Sequence, residues 1–424
     1  MAPEIESGRS WYSDSVPAPP LRPAVADMSV DVAIVGGGYT GLGAALELAS
    51  HGVDVAVFEA GRIGDGASGR NGGQIHTGQR LDPATLIGMV GADAARQMWD
   101  MAEDAKAHLF RLISDHTIDC DLRLGLVHAW HRPRVEAEDR AYAEAAMTWG
   151  YTKLSFLSRA EVATRIGSDV YCGGTFDAGG GHLHPLKLGF GLARAAEVAG
   201  ARLFENSRIA RFEQTSDGVR LALAGGGTIT CRKLLLCGNG LMEGLDATVD
   251  ARVLPIHNFM LATAPLEASA ILPDNPAVSD SRFVVNYFRK SADNRLIFGG
   301  GEGYGTGFPR DIAAIVRHNM LKVFPQLAGV EVTHTWGGTL AVTLTRAPFV
   351  RQLSPDVLVS AGYSGQGVVL APYFGKLLAH AVRGDSRDID LLGRLPVPPF
   401  PGGRLIRKPL LAAALSYYAL RDRL

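Results

Sequence analysis

The chain has 424 residues, and its 42 Lys and Arg against 43 Asp and Glu leave a formal net charge of −1 at pH 7. This length has room for two domains, and the lack of a basic excess argues against nucleic acid as a partner. A hydrophobic content of 47% with 20% charged residues excludes a mostly disordered chain. Glycine is the outlier, with 51 residues, so the positions of the glycines carry information.

The predicted elements alternate between strands and helices once an extended arm, residues 1–27, has ended. Strands are predicted at 30–35, 53–58, 119–130, 202–206, 219–223, 228–236, 282–290, 295–298 and 357–360. Helices are predicted at 42–49, 93–113, 135–149, 185–199 and 311–324, with a last helix that ends at 383. This order is typical of an α/β protein.

The chain shows no sign of export, membrane insertion or metal binding. Its first 30 residues lack the apolar core of a signal peptide, and no stretch reaches the 18 apolar residues that a membrane span needs. The four cysteines, Cys120, Cys172, Cys231 and Cys237, form no C-x-x-C pair and no cluster with histidine. We therefore expect a cytoplasmic protein with buried thiols, no disulfide, no membrane span and no metal site.

A glycine fingerprint follows the first strand and opens the first helix. Gly36, Gly38 and Gly41 have the spacing G-x-G-x-x-G, and Glu59 lies 18 residues after Gly41. The first glycine permits a tight turn, the second lets a pyrophosphate approach the backbone, and the third allows close helix–strand packing. The helix N-terminus attracts phosphate, and the acidic side chain can bind a ribose hydroxyl. The pattern predicts a dinucleotide site; the alternative is a plain glycine turn.

Two further glycine clusters lie at 66–74 and 362–367. The first interleaves Ser68, Arg70 and Asn71 with four glycines, which favours a loop that wraps a pyrophosphate over the alternative of a flexible surface loop. The second lies between a strand and a helix, where the helix N-terminus would stabilise the negative charge of a reduced flavin at its N1–C2=O edge. The alternative for this cluster is a generic strand–helix turn.

These motifs resemble the FAD-dependent D-amino-acid-oxidase-like superfamily, and most closely its gamma-glutamylputrescine oxidase branch. The resemblance rests on residues 28–74, 181–185, 234–240, 336–338 and 363–368, with features of the branch at 68–74, 287–289, 293–296, 324–327, 363–365, 400–404, 418 and 421–424. It implies an α/β fold in which a discontinuous Rossmann-type FAD-binding domain joins a second, α+β substrate domain built on an antiparallel sheet. The implied bounds are 1–27 for the N-terminal arm, 28–90, 150–250 and 340–395 for the FAD-binding domain, 91–149 and 251–339 for the substrate domain, and 396–424 for a C-terminal tail.

The resemblance and the glycine clusters together mark the residues expected to contact FAD. They are Gly36, Gly38, Tyr39, Thr40, Gly41, Glu59, Ala60, Arg62, Ser68, Gly69, Arg70, Asn71, Gly72, Gly73, Gln74, Arg208, Ile209, Cys237, Gly238, Asn239, Gly362, Tyr363, Gly365, Gln366, Gly367 and Val368. Sarcosine oxidases of the superfamily attach FAD to a cysteine in the segment that matches 338–346. This chain has no cysteine there, so we expect noncovalent FAD.

Amine oxidation on FAD needs a neutral amine held against the flavin ring. The catalytic candidates are His257, Tyr287, Arg289 and Trp336, with Tyr304 as a further aromatic side chain. The alternatives are structural: core packing for the aromatic residues, a solvated strand face for the arginine and a structural role for the histidine. His76 is a further candidate beside the flavin, and for His182 and His184 a structural or helix-entry role is favoured over metal binding.

The resemblance implies oxidation of gamma-glutamylputrescine or a related polyamine derivative, with hydride transfer to flavin N5, giving an aldehyde, ammonia and hydrogen peroxide. The partners are then a small-molecule amine and oxygen or another electron acceptor. One alternative is a D-amino acid or N-methyl amino acid oxidase or dehydrogenase, with Arg289 or Arg346 binding the carboxylate; another is the flavoprotein subunit of a heteromeric dehydrogenase. Sarcosine oxidases carry a lysine that assists the reaction with oxygen where this chain has Ile297, which leaves oxidase versus dehydrogenase open.

Overall fold

The computed structural model describes residues 8–267, 270–303 and 307–402. The helices are α1 (Trp11–Ser15), α2 (Tyr39–Ser50), α3 (Pro83–Val90), α4 (Ala92–Asp115), α5 (Val135–Thr148), α6 (Arg159–Ile166), α7 (Pro185–Val198), α8 (Ala247–Asp250), α9 (Ile312–Val323), α10 (Gly367–Val382) and α11 (Arg387–Leu392). The strands are β1 (Met28–Val35), β2 (Val55–Phe58), β3 (Gln74–Ile75), β4 (Arg123–Trp130), β5 (Leu154–Leu157), β6 (Gly173–His182), β7 (Arg202–Phe204), β8 (Ile209–Thr215), β9 (Gly218–Leu223), β10 (Thr228–Leu236), β11 (Leu254–Pro265), β12 (Ala277–Asp280), β13 (Tyr287–Lys290), β14 (Arg295–Gly303), β15 (Val332–Val342), β16 (Phe349–Ser354) and β17 (Val357–Ala361). Tyr304, the first seven residues of the predicted arm and the tail residues 403–424 lie outside the described residues.

The first sheet has the strand order β16-β17-β10-β1-β2-β7, and β8 and β9 join it through an antiparallel pairing of β9 with β10. The central strand β1 runs parallel to both of its neighbours, β10 and β2. β2 and β17 are buried along their whole length, which is what their uninterrupted apolar runs predict. This sheet is the centre of the larger hydrophobic core.

Helices α2 and α10 follow strands of the first sheet and pack closely against each other. Because β1 and β17 both run parallel to β10, the N-termini of the two helices lie at the same edge of the sheet. Glycine allows the helices to touch: a Cβ on Gly43 would lie 2.4 Å from the carbonyl oxygen of Pro372, and a Cβ on Gly375 would lie 2.1 Å from that of Thr40. The packing brings the glycine turns at 36–38 and 362–367 together.

The second sheet has the order β15-β11-β14-β13-β12-β4-β6-β3, with β5 paired to β6. Its pairings are antiparallel except for that of β12 with β4. One face packs against α6 and α9 through a second core that contains Phe259, Phe288 and Phe298. The opposite face carries Met260, Ile297 and Trp336, which pack against α1 and α7. Two sheets with these helices confirm the predicted α/β class with a second domain on an antiparallel sheet.

Several segments differ from the sequence prediction; for example, the strand predicted at 282–290 covers only Tyr287–Lys290. The arm is not extended throughout, because Trp11–Ser15 form a helix with Trp11 and Tyr12 buried. Strands β5 and β6 lie in the second sheet, although residues 150–250 were assigned to the FAD-binding domain. Helix α4, assigned to the substrate domain, packs with α10 in the core of the first sheet. Among the helices of the described ranges, none combines the length and the apolarity that crossing a bilayer requires.

Candidate cofactor and active site

A cavity of about 420 Å³ opens at the edge of the first sheet where α2 and α10 begin. The residues predicted to contact FAD that line it are Gly36, Gly38, Tyr39, Thr40, Glu59, Ala60, Ser68, Asn71, Arg208, Ile209, Cys237, Gly238, Asn239, Tyr363, Gly365, Gly367 and Val368. Those outside its lining are Gly41, Arg62, Gly69, Arg70, Gly72, Gly73, Gln74, Gly362 and Gln366. The lining therefore joins all three glycine clusters to the ends of β8 and β10.

The glycines of the fingerprint leave room that side chains would fill. Gly36 has a φ of +104°, and a Cβ there would lie 2.8 Å from the backbone of Gly238. A Cβ on Gly38 would lie 2.9 Å from the hydroxyl of Ser68, at the cavity wall. A Cβ on Gly41 would lie 2.0 Å from the carbonyl oxygen of Gly36, so the helix can approach the turn only with glycine at this position.

The carboxylate of Glu59 lines the cavity and also fixes the turn. Its two oxygens accept hydrogen bonds from the backbone N–H groups of Gly37, at 2.7 Å, and Gly61, at 2.9 Å. Burial raises the pKa of Glu59, and these two hydrogen bonds oppose that rise by stabilising the ionised form. A carboxylate with two oxygens has acceptor capacity left, so it can also accept from a ribose hydroxyl.

The loop 66–74 is an ordered turn rather than an open surface loop. Ser68 accepts a hydrogen bond from the backbone N–H of Tyr39 at 3.0 Å and so occupies the N-terminus of α2. The side-chain amide of Asn71 donates to the carbonyl oxygens of Ala67 and Ser68, and its oxygen accepts from the N–H of Gly73 at 2.7 Å. These bonds hold the loop in one shape against the cavity.

Hydroxyl groups tie the start of α10 to the start of α2. The phenol of Tyr363 lies 2.6 Å from the hydroxyl of Thr40 and 2.8 Å from that of Ser360, and all three residues are buried. The N–H of Gly362 donates to the side chain of Asn239 at 2.9 Å. No side chain caps the N-terminus of α10, so its first N–H groups and its positive dipole face the cavity.

These features fit a dinucleotide flavin. Two helix N-termini supply N–H groups, the glycine turn leaves a groove for phosphates, and an acidic side chain lies at the end of β2, where a ribose is bound in such folds. In that arrangement the turn at 36–40 would hold the pyrophosphate and Glu59 the ribose, while the start of α10 would face the flavin ring.

Of the predicted catalytic residues, Tyr287 lies against the cofactor loop. Its ring packs on Gly72 and Gly299, where a Cβ would lie within 2.7 Å and 2.0 Å of the ring respectively. Its hydroxyl hydrogen-bonds to the side chain of Asn258 on β11 of the same sheet. Burial raises the pKa of Tyr287, so the phenol keeps its proton. Asn258 was missed in the sequence, where a single asparagine in an apolar strand gives no distinct signal.

None of the four catalytic candidates, Tyr287 included, lines the cavity. Trp336 is fully buried and donates its indole N–H to the carbonyl oxygen of Arg70 at 3.1 Å, so the core-packing alternative describes it. Arg289 is only 3% exposed, which contradicts a solvated strand face, and it bonds to the carbonyl oxygen of Gly72 at 2.9 Å. His257 lies 3.2 Å from the hydroxyl of Thr339, with its ring against Phe308.

Arg80 and Arg346, here called the arginine pair, lie close enough for their charges to interact, and Arg80 contacts the cavity wall at the start of α10. Arg80 donates to the carbonyl oxygen of Ser364, a cavity residue, at 3.2 Å. Burial and the charge of Arg346 lower the pKa of Arg80 to about 10, although its side chain remains reachable by water. Among the described residues, neither guanidinium has a carboxylate partner. Arg80 was missed because its partner lies more than 260 residues away in the chain.

Histidines near the site are held uncharged. Burial, followed by the charge of Arg80, lowers the pKa of His76 to about 4. His184 accepts from the N–H of Lys187 at 3.2 Å and so caps α7, which is the helix-entry role. His182 lies 3.0 Å from the carbonyl oxygen of Asn275. Within the described ranges, no group of three or more potential ligands is placed to hold a metal ion.

Comparisons with known proteins agree with this geometry. A family model described as DAO, FAD dependent oxidoreductase, matches residues 31–381. A probable oxidoreductase OrdL of Rhizobium meliloti is 45% identical over 423 residues, which cover 99% of this chain and 98% of that protein. The gamma-glutamylputrescine oxidoreductase of Escherichia coli is 36% identical over 401 residues, which cover 94% of each chain.

Among solved structures, the glycine oxidase of Geobacillus kaustophilus matches with a TM-score of 0.72 at 23% identity, over 84% of this chain and 95% of that one. At this identity the match shows the fold alone. The family model and the two relatives confirm the resemblance predicted from the sequence, and with it FAD as the cofactor.

Proposed function

Because the chain belongs to the DAO family of FAD-dependent oxidoreductases, which act on amines, we propose that it oxidises gamma-glutamylputrescine or a closely related amine with a carboxylate at its far end. The Escherichia coli relative named for this substrate supports the choice. The observation that carries the proposal is the arginine pair, two cations without a carboxylate partner in the described part of the chain, of which Arg80 contacts the cavity residue Ser364. A gamma-glutamyl amine brings such a carboxylate.

The proposed substrate has two functional groups: an amine that would lie at the flavin and a carboxylate that would lie at the arginine pair. When bound, FAD would supply the acceptor for a hydride from the carbon beside the reacting nitrogen. The arginine pair binds the glutamyl carboxylate through charge-assisted hydrogen bonds, which are directional for a guanidinium. The half-buried ring of Tyr287 packs on Gly72 of the cofactor loop and would limit water there, and a poorly hydrated site favours the neutral amine over the ammonium ion. The neutral amine is the form whose lone pair can assist loss of the hydride.

Substitution of the arginine pair tests this assignment. In Arg346→Gln and Arg80→Gln, kcat/KM for gamma-glutamylputrescine should fall about 10- to 100-fold, since a hydrogen bond to a charged group contributes about 1.5–3 kcal/mol. Activity with putrescine, which has no carboxylate, should stay within about twofold and serves as the internal control. Equal losses with both amines would contradict a carboxylate-binding role.

The same arginine pair also suits a second candidate, an oxidase or dehydrogenase of D-amino or N-methyl amino acids, whose carboxylate lies next to the amine. Anaerobic reduction of the bound flavin by a panel of amines and amino acids separates the two candidates. Reduction by amino acids and not by gamma-glutamylputrescine would replace the first proposal with the second. Repeating the assay in air, with hydrogen peroxide measured, distinguishes oxidase from dehydrogenase.

A further inference from the structure

Residues 8–22 of the N-terminal arm, called the arm below, run beside the loop 66–74 and the segment that leads into it. A buried tyrosine anchors them. Tyr12 is fully buried, and its ring packs edge-on against Trp336 and His184 with centroid distances of 5.3 and 4.9 Å. Ser15 adds a contact of 3.0 Å from its hydroxyl to the ring of His184. Residues so far ahead of the first strand are usually poorly ordered unless they are tied down, so this packing needs a reason.

One guanidinium connects the arm to the cofactor loop. Arg289 donates to the hydroxyl of Tyr12 at 3.2 Å and to the carbonyl oxygen of Gly72 at 2.9 Å. Its third hydrogen bond goes to the carbonyl oxygen of Lys290 at 3.3 Å, and its guanidinium lies 5.8 Å from the centre of the Tyr12 ring. No carboxylate pairs with it within the described ranges. A buried charge costs several kcal/mol unless hydrogen bonds replace its water. Tyr12 and Gly72 are therefore both needed to satisfy the same cation, and their positions are coupled.

Two further arginines join the same pieces of chain. Arg70, within the loop, donates to the carbonyl oxygens of Gly8 in the arm and Gly337 on β15, at 3.3 and 3.1 Å. Arg62, just before the loop, donates to the carbonyl oxygen of Pro19 at 2.7 Å. The arm thus contacts the cofactor loop and the segment that leads into it through three separate cations.

We propose that the arm braces the FAD-binding loop, and that Tyr12 is a positioning residue that holds Gly72 in place through Arg289. The loop residues Ser68 and Asn71 line the cavity, so a loop released from the arm would lose the shape that fits the cofactor. Release of FAD then requires the arm to loosen. The inference rests on the FAD site and not on which amine is oxidised, so the outcome of the substrate assays does not affect it.

Tyr12→Phe tests the brace because it removes only the hydroxyl that Arg289 contacts. The dissociation constant for FAD, measured by titrating apoprotein, should rise about 3- to 30-fold, and FAD should dissociate faster on dilution. The melting temperature of the holoprotein should approach that of the apoprotein, because FAD stabilises the variant less. Deletion of residues 1–16 should give the same changes with larger size.

The matched control is Tyr171→Phe. Tyr171 is also buried, and its hydroxyl contacts Asp280 at 3.3 Å, but it packs in the core of the second sheet, away from the loop 66–74. Its FAD dissociation constant should stay within about twofold of the wild-type value. The proposal is overturned if Tyr12→Phe and the deletion lower the melting temperatures of apoprotein and holoprotein equally while FAD affinity is unchanged, since the arm would then stabilise only the fold.

Discussion

Glu59→Gln separates the two tasks that the structure gives this carboxylate. In the wild-type chain each carboxylate oxygen accepts one backbone N–H, from Gly37 at 2.7 Å and from Gly61 at 2.9 Å. Glutamine keeps the shape of the side chain but has only one acceptor oxygen, so its NH₂ group must face one of these two donors. The substitution therefore leaves a backbone N–H in the turn without its acceptor, and it removes the charge that can bind a ribose hydroxyl.

The size of the effect follows from the bonds that are lost. A hydrogen bond to a charged group contributes about 1.5–3 kcal/mol, so the loss of one such bond at the ribose should weaken FAD binding about 10- to 100-fold. The unfolding free energy of the apoprotein should fall by a similar amount, about 1–3 kcal/mol, because the N–H left unpaired in the turn is part-buried.

Two measurements on the same variant check this reasoning: fluorescence titration of apoprotein with FAD, and urea unfolding of the apoprotein. Glu47→Gln is the control, since Glu47 lies on α2 and pairs with His380 at 3.0 Å, far from the turn. It should leave FAD affinity unchanged. If Glu59→Gln lowers apoprotein stability while FAD affinity stays within about twofold, the carboxylate shapes the turn and does not bind the ribose.

Three further predictions concern the cofactor. Gly41→Ala should abolish detectable FAD binding because its Cβ would lie 2.0 Å from the carbonyl oxygen of Gly36, whereas Gly88→Ala, with no atom within 4 Å, should bind FAD normally in the same titration. Gly365→Val should weaken FAD binding or lower the flavin reduction potential, since Gly365 has a φ of +101° at the start of α10; a loss confined to the melting temperature would indicate a plain turn. Acid precipitation of the holoprotein should leave FAD in the supernatant, because residues 338–346 contain no cysteine; flavin in the pellet would show a covalent link.

Local patterns predicted six of the eight strands of the first sheet and missed β8 and β16. Some features depend only on neighbours within about 30 residues: the strand 228–236, the fingerprint turn, the helix after it and the acidic residue. The structure contains all of them, as β10, Gly36, α2 and Glu59. Helix α9, predicted at 311–324, is Ile312–Val323, because Asp311 caps one end and Pro325 follows the other. In these cases the chain's own chemistry sets the boundary.

Contacts between distant segments explain what the sequence did not reveal. β6 contains glycine at five of its ten positions, so it has no alternating pattern, and only its pairing with β4 and β5 makes it a strand. The burial of Tyr12 depends on Trp336 and His184, and Arg80 meets Arg346 only after the chain has folded. Trp336 precedes two glycines, a pattern that favours a site residue, but in the structure its indole donates to the carbonyl oxygen of Arg70, and Arg70 donates to that of Gly337.

Neutral buried histidines predict how stability depends on pH. Burial lowers the pKa of His76 and His108 to about 4, and that of His182 and His184 to about 3. In the unfolded chain these side chains take up protons near pH 6.5, whereas in the folded chain they do not until about pH 4 or below. Above pH 7 the histidines are neutral in both the folded and the unfolded state, so they do not change the free energy of unfolding. As pH falls from about 6.5, the unfolded state gains protons, and the free energy of unfolding falls by up to about 1.4 kcal/mol per pH unit for each histidine.

Urea unfolding between pH 7.5 and 5.5 measures this slope before most carboxylates titrate. His184→Asn keeps a good N-cap for α7 and removes one titrating group, so its slope should be shallower by up to about 1.4 kcal/mol per unit. A wild-type stability that is flat or rises toward pH 5.5 would contradict neutral burial of these rings.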